Sequence, residues 1–102
     1  MSRGTNTKRV LIGPRGQENL SILGENIKLA RLRRQLSVEM ISERAGISRT
    51  TVWKIEKGDP SVAIGLYVKV LNALQLMDDI RKVAYKDSFG HRIQDAGLLR
   101  HR

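Results

Sequence analysis

The chain has 102 residues, enough for one small folded domain and too few for a second. Lysine and arginine number 19 against 10 acidic residues, which gives a net charge of +9. This charge favours polyanionic partners, with nucleic acid ahead of an anionic membrane, although a merely soluble basic surface is the plainer alternative. Cysteine is absent, so disulfides and thiolate metal sites are excluded. Because no apolar run is long enough for a membrane span or a signal peptide, we expect a soluble cytoplasmic protein.

The positive charge is concentrated in the first third of the chain. Residues 1–36 carry eight basic and two acidic side chains, a net +6, whereas residues 59–84 carry three of each. Residues 1–19 combine this charge with glycine and proline, a composition that buries too little surface to fold alone. We therefore predict a flexible basic arm over residues 1–19. An alternative is that residues 8–13 form a short strand when a partner offers a sheet edge.

Helical periodicity begins at Leu20 and predicts a first helix from about Ser21 to Gln35. Apolar residues recur there at intervals of three and four and form one broad face. Two adjoining stripes make up this face, namely Leu23, Ile27 and Ala30, and Leu29, Leu32 and Leu36.

Serine residues mark the predicted starts of the next three helices. Ser37, Ser48 and Ser61 are each placed to accept a hydrogen bond from the first turn of a following helix. The second helix is expected to end at Gly46, because a residue without Cβ permits the left-handed backbone of a tight turn. The third helix is expected to run to about Lys57.

The predicted fold is completed by two further helices. The fourth has an apolar face with i, i+3, i+4, i+7 spacing, and the fifth opens with two acids at the positive end of its dipole. The residues concerned are Tyr67, Val70, Leu71 and Leu74, and Asp78 and Asp79. The chain therefore reads as an all-α fold of five helices with no core strand.

The two short helices that meet at Gly46 match the requirements of a DNA-binding helix-turn-helix. Small residues start the third helix, so its backbone can approach base edges in a groove about 12 Å wide. Five apolar positions hold the two helices at their crossing angle, and a second set points outward. The inward set is Ile41, Ala45, Ile47, Val52 and Ile55, and the outward set is Arg49, Thr50, Trp53, Lys54 and Lys57.

The run LARLRRQLSVEMISERAGISRTTVWKIEKGDPS resembles the Cro/C1-type helix-turn-helix regulators of the XRE family, over roughly residues 23–76. Residues 78–102 are similar to the tails of HipB-like antitoxins, which are encoded beside HipA-like kinase toxins. The resemblance implies a five-helix, lambda-repressor-like domain over residues 20–84 that binds a palindromic operator as a homodimer. It further implies repression of its own toxin-antitoxin operon and a HipA-like kinase partner, with residues 85–102 as a possible partner or dimer contact.

This resemblance also assigns roles to single residues. Base edges are expected to be contacted by Arg49, Thr50 and Lys54, and phosphates by Ser48 and Thr51. Arg49 is the leading specificity residue, because a guanidinium can donate twice to guanine O6 and N7. The alternative for Arg49 is a solvated cation at the start of a helix.

Other positions of the outward face leave two interpretations open. Lys54 and Lys57 either position the helix on phosphates or belong to an ordinary charged surface. Trp53 either packs on a sugar or a thymine methyl, or covers a neighbouring helix or the N-terminal arm.

Four further positions follow from the resemblance. Arg31 and Glu56 stand where the family commonly forms an ion pair between the first and third helices. Val38 replaces a frequent glutamine whose amide reaches a phosphate, so that contact is lost or is replaced by a backbone amide. Ser42 replaces a usual alanine, and its hydroxyl can bond back to the preceding turn.

A single recognition helix covers too few base pairs for strong discrimination, so two copies about 34 to 36 Å apart are expected on the duplex. Apolar residues near the C-terminus provide surface for a dimer interface or, alternatively, complete the monomer core. These residues are Ile80, Val83, Ala84, Phe89, Ile93 and Leu98.

The sequence argues against an enzyme, a cofactor and a metal site. His91 and His101 have no acidic cluster at ligand spacing, and the glycines of residues 11–16 lack a P-loop ending. RNA binding is disfavoured by the shortage of exposed aromatic residues. Besides a repressor, the open alternatives are a protein-interaction module that binds or neutralises a toxin kinase, and a stand-alone phage-type repressor.

Overall fold

The structure is a computed structural model and describes residues 9–87. Over this range the chain forms four α-helices and one 3₁₀ helix, with no strand, so the all-α prediction is confirmed. Five of the residues singled out in the sequence lie outside the described range, namely Phe89, His91, Ile93, Leu98 and His101. The helices are α1 (Gly13–Arg33), α2 (Val38–Ala45), α3 (Arg49–Glu56), α4 (Ile64–Ala73) and the 3₁₀ helix η1 (Met77–Lys82).

The first helix begins at Gly13, so the predicted start near Ser21 is wrong, and residues 13–19 are helical rather than part of an arm. Pro14 fits the first helical turn, where a backbone amide has no partner to lose and a fixed φ suits the helix. The side-chain amide of Gln17 holds this added length by donating to the Ser21 hydroxyl at 3.0 Å and to the Gly58 carbonyl at 2.9 Å. The Gly-Pro-Arg-Gly run has the composition of a loop. The sequence gives no sign of the contact with Gly58, because that residue is distant along the chain.

The predicted apolar face of α1 is buried only in part, and its first residue, Leu23, is 38% exposed. Ile27 and Ala30 lie in the core, whereas Leu29 and Leu32 are 42% and 49% exposed. Successive residues of an α-helix turn by about 100°, which places Leu29 on the side opposite Ile27. The buried face of α1 is therefore narrower than the predicted face.

The core is built from α4 and from the inward faces of the other helices. Tyr67, Val70, Leu71 and Leu74 are all buried, which confirms the predicted face of α4. The Tyr67 hydroxyl donates to the Asp59 carbonyl at 2.9 Å and thereby ties α4 to the loop after α3. Burial raises the pKa of the Tyr67 phenol above its usual value, and the charge of Asp59 raises it further, so the hydroxyl stays a neutral donor at physiological pH.

Two of the three predicted serine caps are present. The Ser37 and Ser48 hydroxyls accept from the amides of Met40 and Thr51, at 3.0 and 3.1 Å. The prediction for Ser61 is wrong, because Ala63 is the N-cap of α4 and no side chain caps that helix.

The fifth predicted helix is η1, a 3₁₀ helix of six residues. Asp78 and Asp79 lie in its first turn, as expected for acids at the positive end of a helix dipole. Ile80 is half-buried, whereas Val83 and Ala84 are exposed. Val83 and Ala84 therefore do not complete the monomer core over the described range.

Backbone contact between α1 and the end of α3 fixes the angle between these two helices. A Cβ added at Gly24 would lie 2.6 Å from the carbonyl oxygens of Ile55 and Glu56. A Cβ added at Gly58 would lie 2.7 Å from the backbone of Ser21, and Gly58 also has a φ of +76°, which favours glycine. No side chain fits between the two helices at either point.

Gly24→Ala tests this contact. The added methyl group meets backbone atoms that cannot rotate away, so we expect a loss of about 1 to 3 kcal/mol in the free energy of unfolding. Both contacted atoms belong to the backbone, so we expect the loss to lie in the upper part of this range and to exceed the gain of about 1 kcal/mol that alanine brings to a helix interior. Gly65→Ala is the matched control, because a Cβ at Gly65 in α4 meets no atom within 4 Å. Chemical denaturation should separate the two variants, and equal stability of both would contradict the close contact.

Candidate nucleic-acid interface

The inward side of α3 is fixed by two fully buried residues, Val52 and Ile55. With about 100° of rotation per residue, the opposite side of α3 carries Thr50 and Lys57 at its centre. Arg49, Trp53 and Lys54 lie on either side of that line, and all five side chains are exposed. We call these five residues the outward face of α3. The structure thus brings together the residues that the sequence predicted to point outward.

The outward face is positively charged. Arg49, Lys54 and Lys57 are its three cations, and the sole acid of residues 48–57 is Glu56. Glu56 is half-buried and paired with Arg31, so its charge does not offset the cations. This arrangement is complementary to a polyanion that lies along α3.

The hydroxyls of Ser48 and Thr51 interact with each other at the start of α3. Their oxygens are 2.9 Å apart, and the Ser48 oxygen also accepts from the Thr51 amide. Since one of the two hydroxyls must donate to the other, a single hydroxyl proton remains for an outside acceptor. Ser48 is exposed and Thr51 is half-buried, so the pair can present one donor to a phosphate oxygen.

Trp53 is 52% exposed, although it is the largest side chain of the outward face. About half of its surface is therefore accessible to a ligand. The two interpretations of Trp53, contact with DNA and packing against the protein, both stay predictions.

The turn between α2 and α3 has the left-handed backbone that was predicted at its glycine. Gly46 has a φ of +72°, and its amide donates to the Ser42 carbonyl at 2.9 Å. Nothing lies within 4 Å of a Cβ built at Gly46, so glycine is favoured there by its backbone conformation and not by lack of space. Ser42 donates from its hydroxyl to the Glu39 carbonyl at 2.8 Å, the bond to the preceding turn that was expected.

The inward set of this helix pair is buried to different degrees. Ile41, Val52 and Ile55 are fully buried, and Ala45 and Ile47 are half-buried against the same core. Val38, which stands where an amide side chain was expected, is half-buried and also packs against the core.

The ion pair predicted between Arg31 and Glu56 is present. The Arg31 Nε and Nη2 atoms donate to the two Glu56 carboxylate oxygens at 2.7 and 3.1 Å. The Arg31 Nη1 atom donates to the Leu36 carbonyl at 2.9 Å. The two charged side chains are only 9% and 6% exposed, so one guanidinium links α1, the segment before α2, and the end of α3.

A comparison with protein families matches the helix-turn-helix domain over residues 22–83, more than half of the chain. The chain belongs to the helix-turn-helix domain family. The match includes all of α2, α3 and α4, and most of α1. No curated protein matches the chain. A helix-turn-helix is typical of DNA-binding regulators, and its second helix is α3 in this chain.

Between residues 9 and 87, no helix combines the length and the apolar character needed to cross a membrane. Over the same residues, no cluster of three or more histidine, aspartate or glutamate side chains could hold a metal ion.

Sequence reasoning missed the residues that attach α1 to the end of α3. Gln17 fell in the predicted arm, and no spacing rule indicated its bond to the Gly58 carbonyl. Gly24 is a single glycine inside a helical pattern, which is a general sign of close packing but does not name the partner.

Glu56→Ala tests the structural role of the ion pair. The substitution leaves Arg31 charged and nearly buried without its partner, so we expect a loss of about 3 to 5 kcal/mol in the free energy of unfolding. Asp79→Ala is the matched control, because it breaks the exposed Lys82–Asp79 pair, whose loss should cost at most about 1 kcal/mol. If thermal and chemical unfolding of Glu56→Ala matched the wild type, Arg31 and Glu56 would not stabilise the domain.

Proposed function

We propose that this helix-turn-helix protein is a sequence-specific repressor that reads double-stranded operator DNA with α3. The supporting observation is the outward face of α3, which carries Arg49, Lys54 and the C-cap residue Lys57 and no unpaired acid. The side chains beside Arg49 at the start of this helix are small, namely Ser48, Thr50 and Thr51. Such a helix fits the width of the major groove.

Arg49 is proposed as the main reader of sequence. It lies in the first turn of α3, and the N-terminal residues of a recognition helix are those that contact base edges. Thr50 is proposed as a further base contact, with Trp53 beside it, and Lys54 as a contact to a phosphate. The hydroxyl donor shared by Ser48 and Thr51, together with Lys57, is proposed to contact phosphates.

A homodimer is part of this proposal, because two copies of α3 are needed to read a palindromic site. A groove of about 340 Å³ between α1, α4 and η1 is the proposed contact with a second copy. Residues 59–84 carry three basic and three acidic side chains, so two copies can meet there without the repulsion expected from a net charge of +9. No residue of α3 lines this groove, whose apolar lining includes Leu20, Leu23, Val62, Ile64, Ile80 and Val83.

The more specific proposal is an antitoxin that represses its own operon and binds a HipA-like kinase toxin. It is supported by the resemblance of residues 78–102 to the tails of HipB-like antitoxins. A kinase-like reading frame beside this one would support the proposal. Neighbouring genes without such a frame would favour a stand-alone phage-type repressor.

Arg49→Ala tests the assignment of α3. Affinity should be measured by gel shift for the DNA upstream of the chain's own reading frame and for a scrambled duplex. A bidentate arginine–guanine contact is worth about 1 to 3 kcal/mol of discrimination, so the affinity ratio between the two duplexes should fall roughly 5- to 150-fold for each half-site that the dimer reads.

The matched control is Arg81→Ala, which removes the same exposed charge from η1. It should leave the affinity ratio between the two duplexes unchanged. An unchanged ratio in Arg49→Ala would remove this residue from the base-reading set.

A further inference from the structure

The segment before α1 lies against the loop that follows α3. The Val10 amide donates to the Ser61 hydroxyl oxygen at 3.2 Å, and the Ser61 amide donates to an Asp59 carboxylate oxygen at 2.8 Å. Gln17 adds its bond to the Gly58 carbonyl a little further along α1. The Val10 bond thus connects the first described residues to the loop after α3, and the Gln17 bond connects α1 to the same loop.

This packing creates a surface cleft of about 460 Å³, which we call the N-terminal cleft. Arg9 and Lys54 both line it, although they are 45 positions apart in the sequence. Lys54 also belongs to the outward face of α3. The N-terminal cleft therefore joins that face and extends its positive charge toward the beginning of the chain.

The two cations of the N-terminal cleft are available to an outside anion. Neither Arg9 nor Lys54 forms an ion pair with any residue between positions 9 and 87, and both are exposed. Asp59 is the acid that lines the cleft, but it is half-buried and already accepts from the Ser61 amide. Two exposed cations face one acid that is already hydrogen-bonded, which leaves the cleft positively charged.

Core packing does not account for the position of this segment. Leu11 is 88% exposed and Val10 is about half-exposed, so apolar burial contributes little to holding it. The segment is joined to the loop by the hydrogen bond from the Val10 amide to the Ser61 hydroxyl, which does not depend on the side chain at position 10. The basic character of Arg9 is therefore explained better by a ligand than by the fold.

We propose that Arg9 is a second contact to the DNA backbone, and that it binds a phosphate together with Lys54 at the C-terminal end of α3. The proposal rests on the function proposed for α3 and adds a contact outside the helix-turn-helix pair. The partner is the phosphodiester backbone of the same duplex, so Arg9 contributes affinity and not sequence discrimination.

The test compares the salt dependence of DNA binding in Arg9→Gln and in Lys82→Gln. Both substitutions remove one exposed positive charge, but Lys82 lies in η1 and does not line the N-terminal cleft. In the proposed homodimer Arg9→Gln removes two phosphate contacts, so the slope of log K against log salt should become less negative by about 1.8. The loss of affinity between about 50 and about 200 mM salt should accordingly become roughly 12-fold smaller in Arg9→Gln, and it should stay as in the wild type in Lys82→Gln.

Two controls keep the outcomes distinct. The affinity ratio between the operator and a scrambled duplex should be the same in Arg9→Gln as in the wild type, and thermal unfolding should show that the exposed substitution leaves the fold intact. A wild-type slope in Arg9→Gln, or equal changes in Arg9→Gln and Lys82→Gln, would overturn the proposal. If the wild type itself did not prefer any duplex, the function proposed for α3 would fall first.

Discussion

Backbone contact between α1 and the end of α3 is the constraint on which the rest of the structure depends. At Gly24 and Gly58 the two chain segments approach so closely that no Cβ fits between them. The Arg31–Glu56 ion pair joins the same two helices. Arg31 donates one hydrogen bond to each carboxylate oxygen of Glu56, so the two charges neutralise each other. Steric contact and electrostatic pairing thus set one orientation for α3, since a rotation of the helix would break the ion pair and force backbone atoms together.

This orientation determines which side chains of α3 face solvent. Once Val52 and Ile55 point into the core, the helical repeat leaves Arg49, Thr50 and Lys57 with no position except the outer surface. Pairing with Arg31 removes the sole acid of this region from the electrostatic balance. The ion pair that fixes the helix therefore also leaves the charge of Arg49, Lys54 and Lys57 without an opposing acid in residues 48–57. The contact between α1 and the end of α3 thus determines which surface of α3 this small domain presents.

Much of this arrangement could be predicted from the sequence, because it depends on local rules. Apolar spacing indicated the inward residues of α2, α3 and α4, and Gly46 indicated the turn through its backbone conformation. The start of α1 was missed because helix formation at Gly13 depends on a contact between Gln17 and Gly58, which are 41 positions apart. The exposure of Leu29 was missed because tertiary packing decides which apolar side of a helix is buried. The missing cap of α4 was missed because packing also decides whether a serine hydroxyl reaches a helix amide.

The central claim is that the outward face of α3 contacts duplex DNA, and NMR mapping of amide signals during a titration with DNA tests it most directly. The duplex should be one selected for binding from a random pool, so that no operator has to be assumed. We expect the largest shifts at residues 48–57, together with the indole signal of Trp53, the sole tryptophan of the chain. Shifts confined to α4 and η1, with residues 48–57 unchanged, would contradict the account.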